Sequence, residues 1–513
     1  MQSRTTNSIR NSLIAFLAQI LSILFSFITR TVFIKTLGAS YLGVNGLFSN
    51  ILSMLSFAEL GIGTAIIYAM YKPLADGDEK KISALMNLYA KAYKCIGIST
   101  AVIGVCLVPF LDILIKDKPD IPNLTLIYLL FLGNSSISYF FSYKRSIIIA
   151  SQRGYLNTLN QITFSIIQNI CQILILIYFK QYLLYLIVQI ICTICSNISI
   201  SLKVNKIFPY LRKYSGEKLD KVSQRKIGKN ILAMMSSKIG SIVVSGTDNL
   251  LISAFVGLHW VGLFSNYVLI ETTIKSIIMQ VTNAITASIG NLTATESDEK
   301  SYDIFKNLFF INFVITTFCA IFLIVLFNPL ISLWIGEKYL LNEGIISLIV
   351  LNFFIIQMRQ PSLVFINTYG LFWEIKWKSL LEAGINLILS LVFLTVFDLG
   401  ISGVLLGTIS SNLLTNVWWE PYVIFKYGFK KKPKKYYSLY VKYVIIALFP
   451  MGSTLYLANT VVYSGLIGIL VKSLICLIVP SVILFLVFYR SREFKYFMII
   501  LKKVIYSTKR IKR

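Results

Sequence analysis

Long apolar runs alternate with short polar connections along almost the whole chain. The runs reach about twenty residues or more, the length a helix needs to cross the hydrocarbon core of a bilayer. The pattern predicts fourteen spans, near residues 12–34, 44–70, 92–111, 123–143, 158–178, 182–201, 230–256, 260–289, 307–335, 344–369, 379–397, 401–425, 439–458 and 464–489. The first run, Leu13 to Ile28, carries Gln19, Ser22 and Ser26 and has no small-residue cleavage site, so it reads as a span and not as a removed leader.

Polar positions inside these runs are not scattered. At helical spacing, Gln19, Ser22, Ser26 and Arg30 share one side of span one, and Asn45, Ser49, Ser56, Glu59 and Gly63 share one side of span two. Lys238, Ser241, Ser245 and Asp248 align on span seven. Asn352, Arg359 and Ser362 align on span ten, where Pro361 interrupts the helix. Hydroxyl stripes that lead to a charge fit a water-filled cavity, since an intramembrane charge needs a partner or water. Two plainer readings stand beside this one. Glu271 and Lys275 are spaced i,i+4 and can neutralise each other. Glu382 and Lys472 suit an interface, where the lysine snorkels.

Composition agrees with the spans. Of 513 residues, 56% are hydrophobic and only 14% charged, with mean hydropathy +0.74. Soluble domains are about a quarter charged, so the fold class is an all-α polytopic membrane protein. The net charge of +27 is a topology signal and not a nucleic-acid signal. With the N-terminus cytoplasmic, most of the 49 lysines and arginines fall on the cytoplasmic side. Only Lys35, Lys116, Lys118, Lys180 and Lys338 fall in the opposite loops. Both tails are then cytoplasmic, which requires an even number of spans. The segments "KYGFKKKPKKYY" and "STKRIKR" are candidates for contact with anionic membrane lipids. Cys192 and Cys195 form a CxxC, but inside an apolar helix, where helix packing is the simpler role. The single histidine, His259, argues against a histidine metal site or acid–base site, and no metal site is expected. No GxxxxGK[ST] motif is present, so the chain carries no nucleotide-driven motor of that type.

The chain also divides. Residues 1–228 hold six spans and a basic linker, 229–428 hold six more, and 429–513 add two spans and a basic tail. "LGASYLGVNGLFSN" after span one is echoed by "VGLHWVGLFSN" after span seven. Gly38 and Gly257 open the two corners, Tyr41 and Trp260 follow three residues on, and Gly43 and Gly262 follow at five. Six spans per repeat make the repeats parallel, related by an axis along the membrane normal. A cavity that mixes arginine and lysine with a few acids suits a phosphate or pyrophosphate group.

Three blocks carry a resemblance: "TRTVFIKTLGASYLGVNGLFSN", "LSFAELGIGTAIIYAMYKPLADGDEKKISAL" and "SGTDNLLISAFVGLHWVGLFSNYVLI". They resemble the Wzx-like polysaccharide flippases of the MOP exporter superfamily, over roughly residues 1–430 by motif order and span layout. That resemblance implies two six-helix bundles around a V-shaped cationic lumen, worked by alternating access. It implies undecaprenyl-pyrophosphate-linked oligosaccharide as substrate, the bacterial plasma membrane as location, and polysaccharide polymerase and assembly proteins as partners. Arg30, Lys238, Lys275 and Arg359 become the candidates for the pyrophosphate. Glu59, Asp248 and Glu271 become the candidates for binding a coupling ion, H⁺ or Na⁺, and no other cofactor is expected. The two extra spans are closer to the layout of the lipid II flippases, where the last spans help form a groove for the lipid tail. A MATE-like multidrug exporter shares the twelve-helix core and is the alternative. A membrane polysaccharide enzyme is a poorer fit, because the outer loops are short. A non-transporting scaffold would have lost its lumen charges, and this chain retains both signs.

Overall fold

The computed structural model describes residues 4–55, 59, 62–111, 115, 121–151, 153–221, 223–225, 227–228, 246–295, 298–371 and 373–499. Regular structure among them is entirely helical. Among the described residues, nine helices are long and apolar enough to cross a membrane. The chain is an all-α polytopic membrane protein. It packs as two compact units, Met1–Gly262 and Leu263–Arg513.

In the first unit, α1 (Arg4–Leu37) ends at Gly38, whose φ of 87° only glycine adopts without strain. The chain turns there into α2 (Ala39–Leu55). Span two, expected as one helix over 44–70, is split: α2 stops at Leu55 and α3 (Ile62–Asp76) follows, with Glu59 in the connection. Next come α4 (Glu79–Cys106), α5 (Leu124–Ser142), the short α6 (Arg145–Ala150), α7 (Gly154–Tyr178), α8 (Tyr182–Ile207) and α9 (Tyr210–Lys213). Asp78 caps α4 by accepting from the Lys81 amide, which satisfies one of the helix's orphan donors. α4 is longer than its apolar run, so it carries Tyr89 into a core with Ile66, Met70, Tyr139 and Ile147. α1 packs along α7, α4 against α5, α5 against α8, and α7 against α8.

The second unit takes most of α10 (Leu258–Thr295), then α11 (Asp298–Ile335), α12 (Glu343–Met358) and α13 (Gln360–Tyr369). Span ten is broken at Arg359, two residues before Pro361, which has no amide hydrogen to continue the helix. α14 (Lys378–Thr395) and α15 (Gly400–Ser411) follow. A π-helical turn at Asn412–Asn416, α16 (Val417–Val423) and a second π turn at Ile424–Gly428 complete that run. The described residues continue through α17 (Lys434–Asn459) and α18 (Gly465–Phe488) to a short helix over 492–499. α11 packs against α12, α12 against α15, and α14 against α15. This is the same packing order as α4, α5, α7 and α8 in the first unit. Gly403 and Gly407 form a GxxxG pair on α15, which lets its backbone lie on Phe393 and Ser390 of α14.

Candidate functional site

The glycine corners come first, because they set where the helices meet. Gly257, with φ of 130°, closes a π-helical turn over Ile252–Val256. A Cβ on Gly43 would strike the carbonyl oxygen of Leu258, and one on Gly262 would strike that of Ala39. The two echoed segments therefore press on each other through equivalent atoms, as copies do across a two-fold axis.

Glu59 is not alone in hydrocarbon. Tyr93 Oη donates to Glu59 Oε1 at 2.6 Å, Tyr89 Oη donates to Tyr93 Oη at 2.9 Å, and Ser146 Oγ donates to Tyr89 Oη at 3.2 Å. Tyr89 and Tyr93 sit i,i+4 on α4, with ring centroids 4.4 Å apart. Beside Ser146, Arg145 spreads its guanidinium over neutral groups. Nη1 donates to Asn157 Oδ1 at 2.7 Å, Nη2 to Ser196 Oγ and Asn197 Oδ1 at 3.0 Å each, and Nε to Asn197 Oδ1 at 3.3 Å. Ser196 Oγ donates in turn to Asn160 Oδ1 at 2.9 Å, so α6, α7 and α8 are tied at one end.

The second unit has a counterpart at Arg359. Its fork meets Glu420, with Nε to Oε2 at 3.0 Å and Nη2 to Oε1 at 2.5 Å, while Nη1 donates to Asn412 Oδ1 at 2.6 Å. Lys378 Nζ also donates to Glu420 Oε1 at 2.7 Å and lies 3.6 Å from Glu382. Asn416 Nδ2 donates to Glu382 Oε1 and to Asn412 Oδ1. The widened π turn lets Asn412 and Asn416 both face this cluster. Glu420 is fully buried, and Lys378 and Glu382 nearly so. Two cations and two carboxylates balance, as they must where water cannot screen them. Arg145 follows the fourth span of its half and Arg359 sits at the break in the fourth span of the other, and each binds an asparagine of the sixth, Asn197 or Asn412. The difference is the anion: Arg359 has Glu420, whereas the groups bonded to Arg145 are all neutral.

The other candidates are spread along the chain. Arg30 is half-buried on α1 with Tyr185 of α8 within electrostatic reach, and beside it Thr29 donates to Asn169 Oδ1 at 2.7 Å. Asp248 is half-buried in the helical stretch 246–251 that leads into the 252–256 π segment. Lys238 lies outside the described residues. Glu271 and Lys275 on α10 pair at 2.6 Å, the local neutralisation their spacing suggests. Glu382 does not sit at an interface; α14 carries it into the Arg359 cluster. Lys472 lines a polar cleft with Glu337, Ser332 and Tyr463. Glu420, Lys378, Tyr89, Tyr93 and Arg145 were not singled out from sequence. For Glu420 the signal was there, an acid inside the apolar span "NVWWEPYV".

An apolar groove of about 710 Å³ runs along α11 and α18. Phe310, Ile315 and Phe318 form one wall, Val482 and Phe485 the other, and Phe494 and Phe497 close its end.

Residues 15–179 match the MatE family. A comparison with curated protein sequences found no match. Among solved structures, the lipid II flippase MurJ in an inward closed conformation aligns at TM-score 0.63 and 16% identity, over 94% of this chain and 99% of that one. An inward-facing multidrug resistance MATE family transporter of the MOP superfamily aligns at TM-score 0.61 and 14% identity, over 81% and 98%. A MOP superfamily transporter from Pyrococcus furiosus aligns at TM-score 0.53 and 14% identity, over 84% and 97%. Residues 15–179 are thus similar to the MatE family, and the chain has the fold seen in a MATE family transporter and in the lipid II flippase MurJ.

Proposed function

We propose that this chain is a membrane carrier that flips an undecaprenyl-pyrophosphate-linked oligosaccharide from the inner to the outer face of the bacterial plasma membrane. The observation that carries this reading is the groove along α11 and α18, almost wholly apolar and lined by the last long helix. A polyprenyl tail needs such a surface, and a small drug does not. The MurJ alignment also extends over 94% of the chain, against 81% and 84% for the two other transporters. Its extra reach supports a flippase layout that uses α17 and α18.

In this reading Arg30 and Lys238 attract the pyrophosphate and offset its desolvation. Arg359 acts differently: its charge is taken up by Glu420, so it holds the helix break in place. Glu59 or Asp248 binds H⁺ or Na⁺ and biases the transport cycle. The substrate crosses without covalent change, and polymerase and assembly proteins act on it afterwards.

The MatE match over residues 15–179 favours a second reading, a multidrug exporter. Complementation separates the two. Arg30→Ala, Glu59→Gln and Asp248→Asn variants are scored for surface polysaccharide at equal membrane abundance. Reduced polysaccharide supports the flippase. Full polysaccharide in all three, with drug resistance conferred by the parent chain, would leave the exporter.

A further inference from the structure

Glu59, Tyr93, Tyr89 and Ser146 form an unbroken row of hydrogen bonds at 2.6, 2.9 and 3.2 Å, each hydroxyl donating toward the carboxylate. The row spans three elements: the α2–α3 connection, α4 and α6. Tyr89, Tyr93 and Ser146 are buried. Phenylalanine would fill the two tyrosine positions equally well and avoid the cost of burying hydroxyls. What the hydroxyls add is a continuous path, and it ends on a group that can gain or lose a proton.

We propose that this row is the proton-access route to Glu59. A proton from water reaches the Ser146 oxygen and forms an O–H bond there. The proton that Ser146 held passes to Tyr89, that of Tyr89 to Tyr93, and that of Tyr93 to Glu59 Oε1. Each hydroxyl breaks one O–H bond and forms one, so only Glu59 changes its proton count. The row then points away from Glu59, and rotation of the hydroxyls about their C–O bonds restores it.

The surroundings suit this use. Among the described residues, Tyr93 meets Glu59 directly and Tyr89 meets it through Tyr93, both on α4. From α6 comes Ser146, with Arg145 next to it in the chain. From α3 comes Gly63, where a Cβ would lie 2.8 Å from Tyr89 Oη and 3.7 Å from Tyr93 Oη. The bare glycine leaves room for the hydroxyls to align and turn. The proposal rests on Glu59 being the coupling carboxylate, and it adds the path by which the proton arrives.

The test is a pH jump on the full-length protein in lipid nanodiscs, read by time-resolved infrared absorption of the protonated carboxyl C=O band. Glu59→Gln assigns the band. Tyr89→Phe keeps the Tyr93–Glu59 bond and cuts the row behind it. Protonation of Glu59 is expected to slow by about tenfold or more, equivalent to roughly 1.4 kcal/mol on the barrier. Tyr93→Phe removes the last donor to the carboxylate and is expected to slow it as well. Gly63→Ala, which displaces the Tyr89 hydroxyl from the opposite side, is expected to reproduce the slowing and covers a Tyr89→Phe variant that fails to fold. Wild-type protonation rates in Tyr89→Phe or Gly63→Ala would overturn the relay. Translocation of labelled lipid-linked sugar in vesicles is scored separately. Unaltered translocation by Glu59→Gln overturns its coupling role and leaves the measured proton path standing.

Discussion

Gly43 and Gly262 each hold open the space that the other's segment needs. Gly43 faces the Leu258 carbonyl, and Gly262 faces the Ala39 carbonyl. Backbone meets backbone here, so neither side can yield as a flexible side chain would.

Gly43→Ala and Gly262→Ala are each expected to destabilise the fold by roughly 1–3 kcal/mol, the usual range for overpacking. Because the sites touch, the double variant should cost less than the sum. Apparent melting temperature of the purified protein in detergent, together with membrane abundance, checks this. Unchanged melting in both single variants would refute it.

Arg359→Ala should be far worse than a surface change. It leaves Glu420 buried with only Lys378, and breaking a buried pair costs about 3–5 kcal/mol. Glu420→Gln keeps the shape and should cost less. Arg359→Met with Glu420→Met should recover part of the loss, and a double-mutant cycle on thermal stability measures the coupling.

Arg145→Lys is expected to loosen the first unit although charge is kept. A lysine cannot reach Asn157, Ser196 and Asn197 together, because it lacks the planar fork. The loss should be about 1.5–3 kcal/mol, the scale of a hydrogen bond to a charged group. Limited proteolysis of the 143–153 segment reads it, and wild-type resistance would contradict it.

Ile315→Trp with Val482→Trp fills the groove along α11 and α18. Native mass spectrometry of the detergent-purified protein should then show loss of bound polyprenyl lipid, with melting temperature held. Retained lipid at wild-type occupancy would count against the groove as the tail site.

Much of this arrangement could be read from apolar runs. The corners at Gly38 and Gly257, the break near Pro361 and the Glu271–Lys275 pair all follow from local chemistry, and the structure has them. What local chemistry could not supply was partnership at a distance. Arg359 was visible as a charge in a span, but nothing nearby in sequence points to Glu420. Tyr89 and Lys378 were passed over because their helices begin before the apolar runs do, at Glu79 and at Lys378 itself. Hydropathy marks where lipid is and says little of where a helix starts. Glu59 drew notice as an acid in hydrocarbon, while its tyrosine donors did not, since tyrosine is ordinary in a membrane helix.

The Arg359 cluster also imposes an order on synthesis. Arg359 and Lys378 leave the ribosome before Glu420, which follows Arg359 by 61 residues. Until it arrives, α12, α13 and α14 must be accommodated with two cations matched only by Glu382. An isolated charge in a span costs about 2.5–3.5 kcal/mol on insertion scales, so those helices gain from staying near water or the insertion machinery until α16 emerges. The last acid of the cluster completes the charge balance: with it, the half-built bundle can close away from water, whereas a chain cut short before Glu420 keeps a cation without its partner.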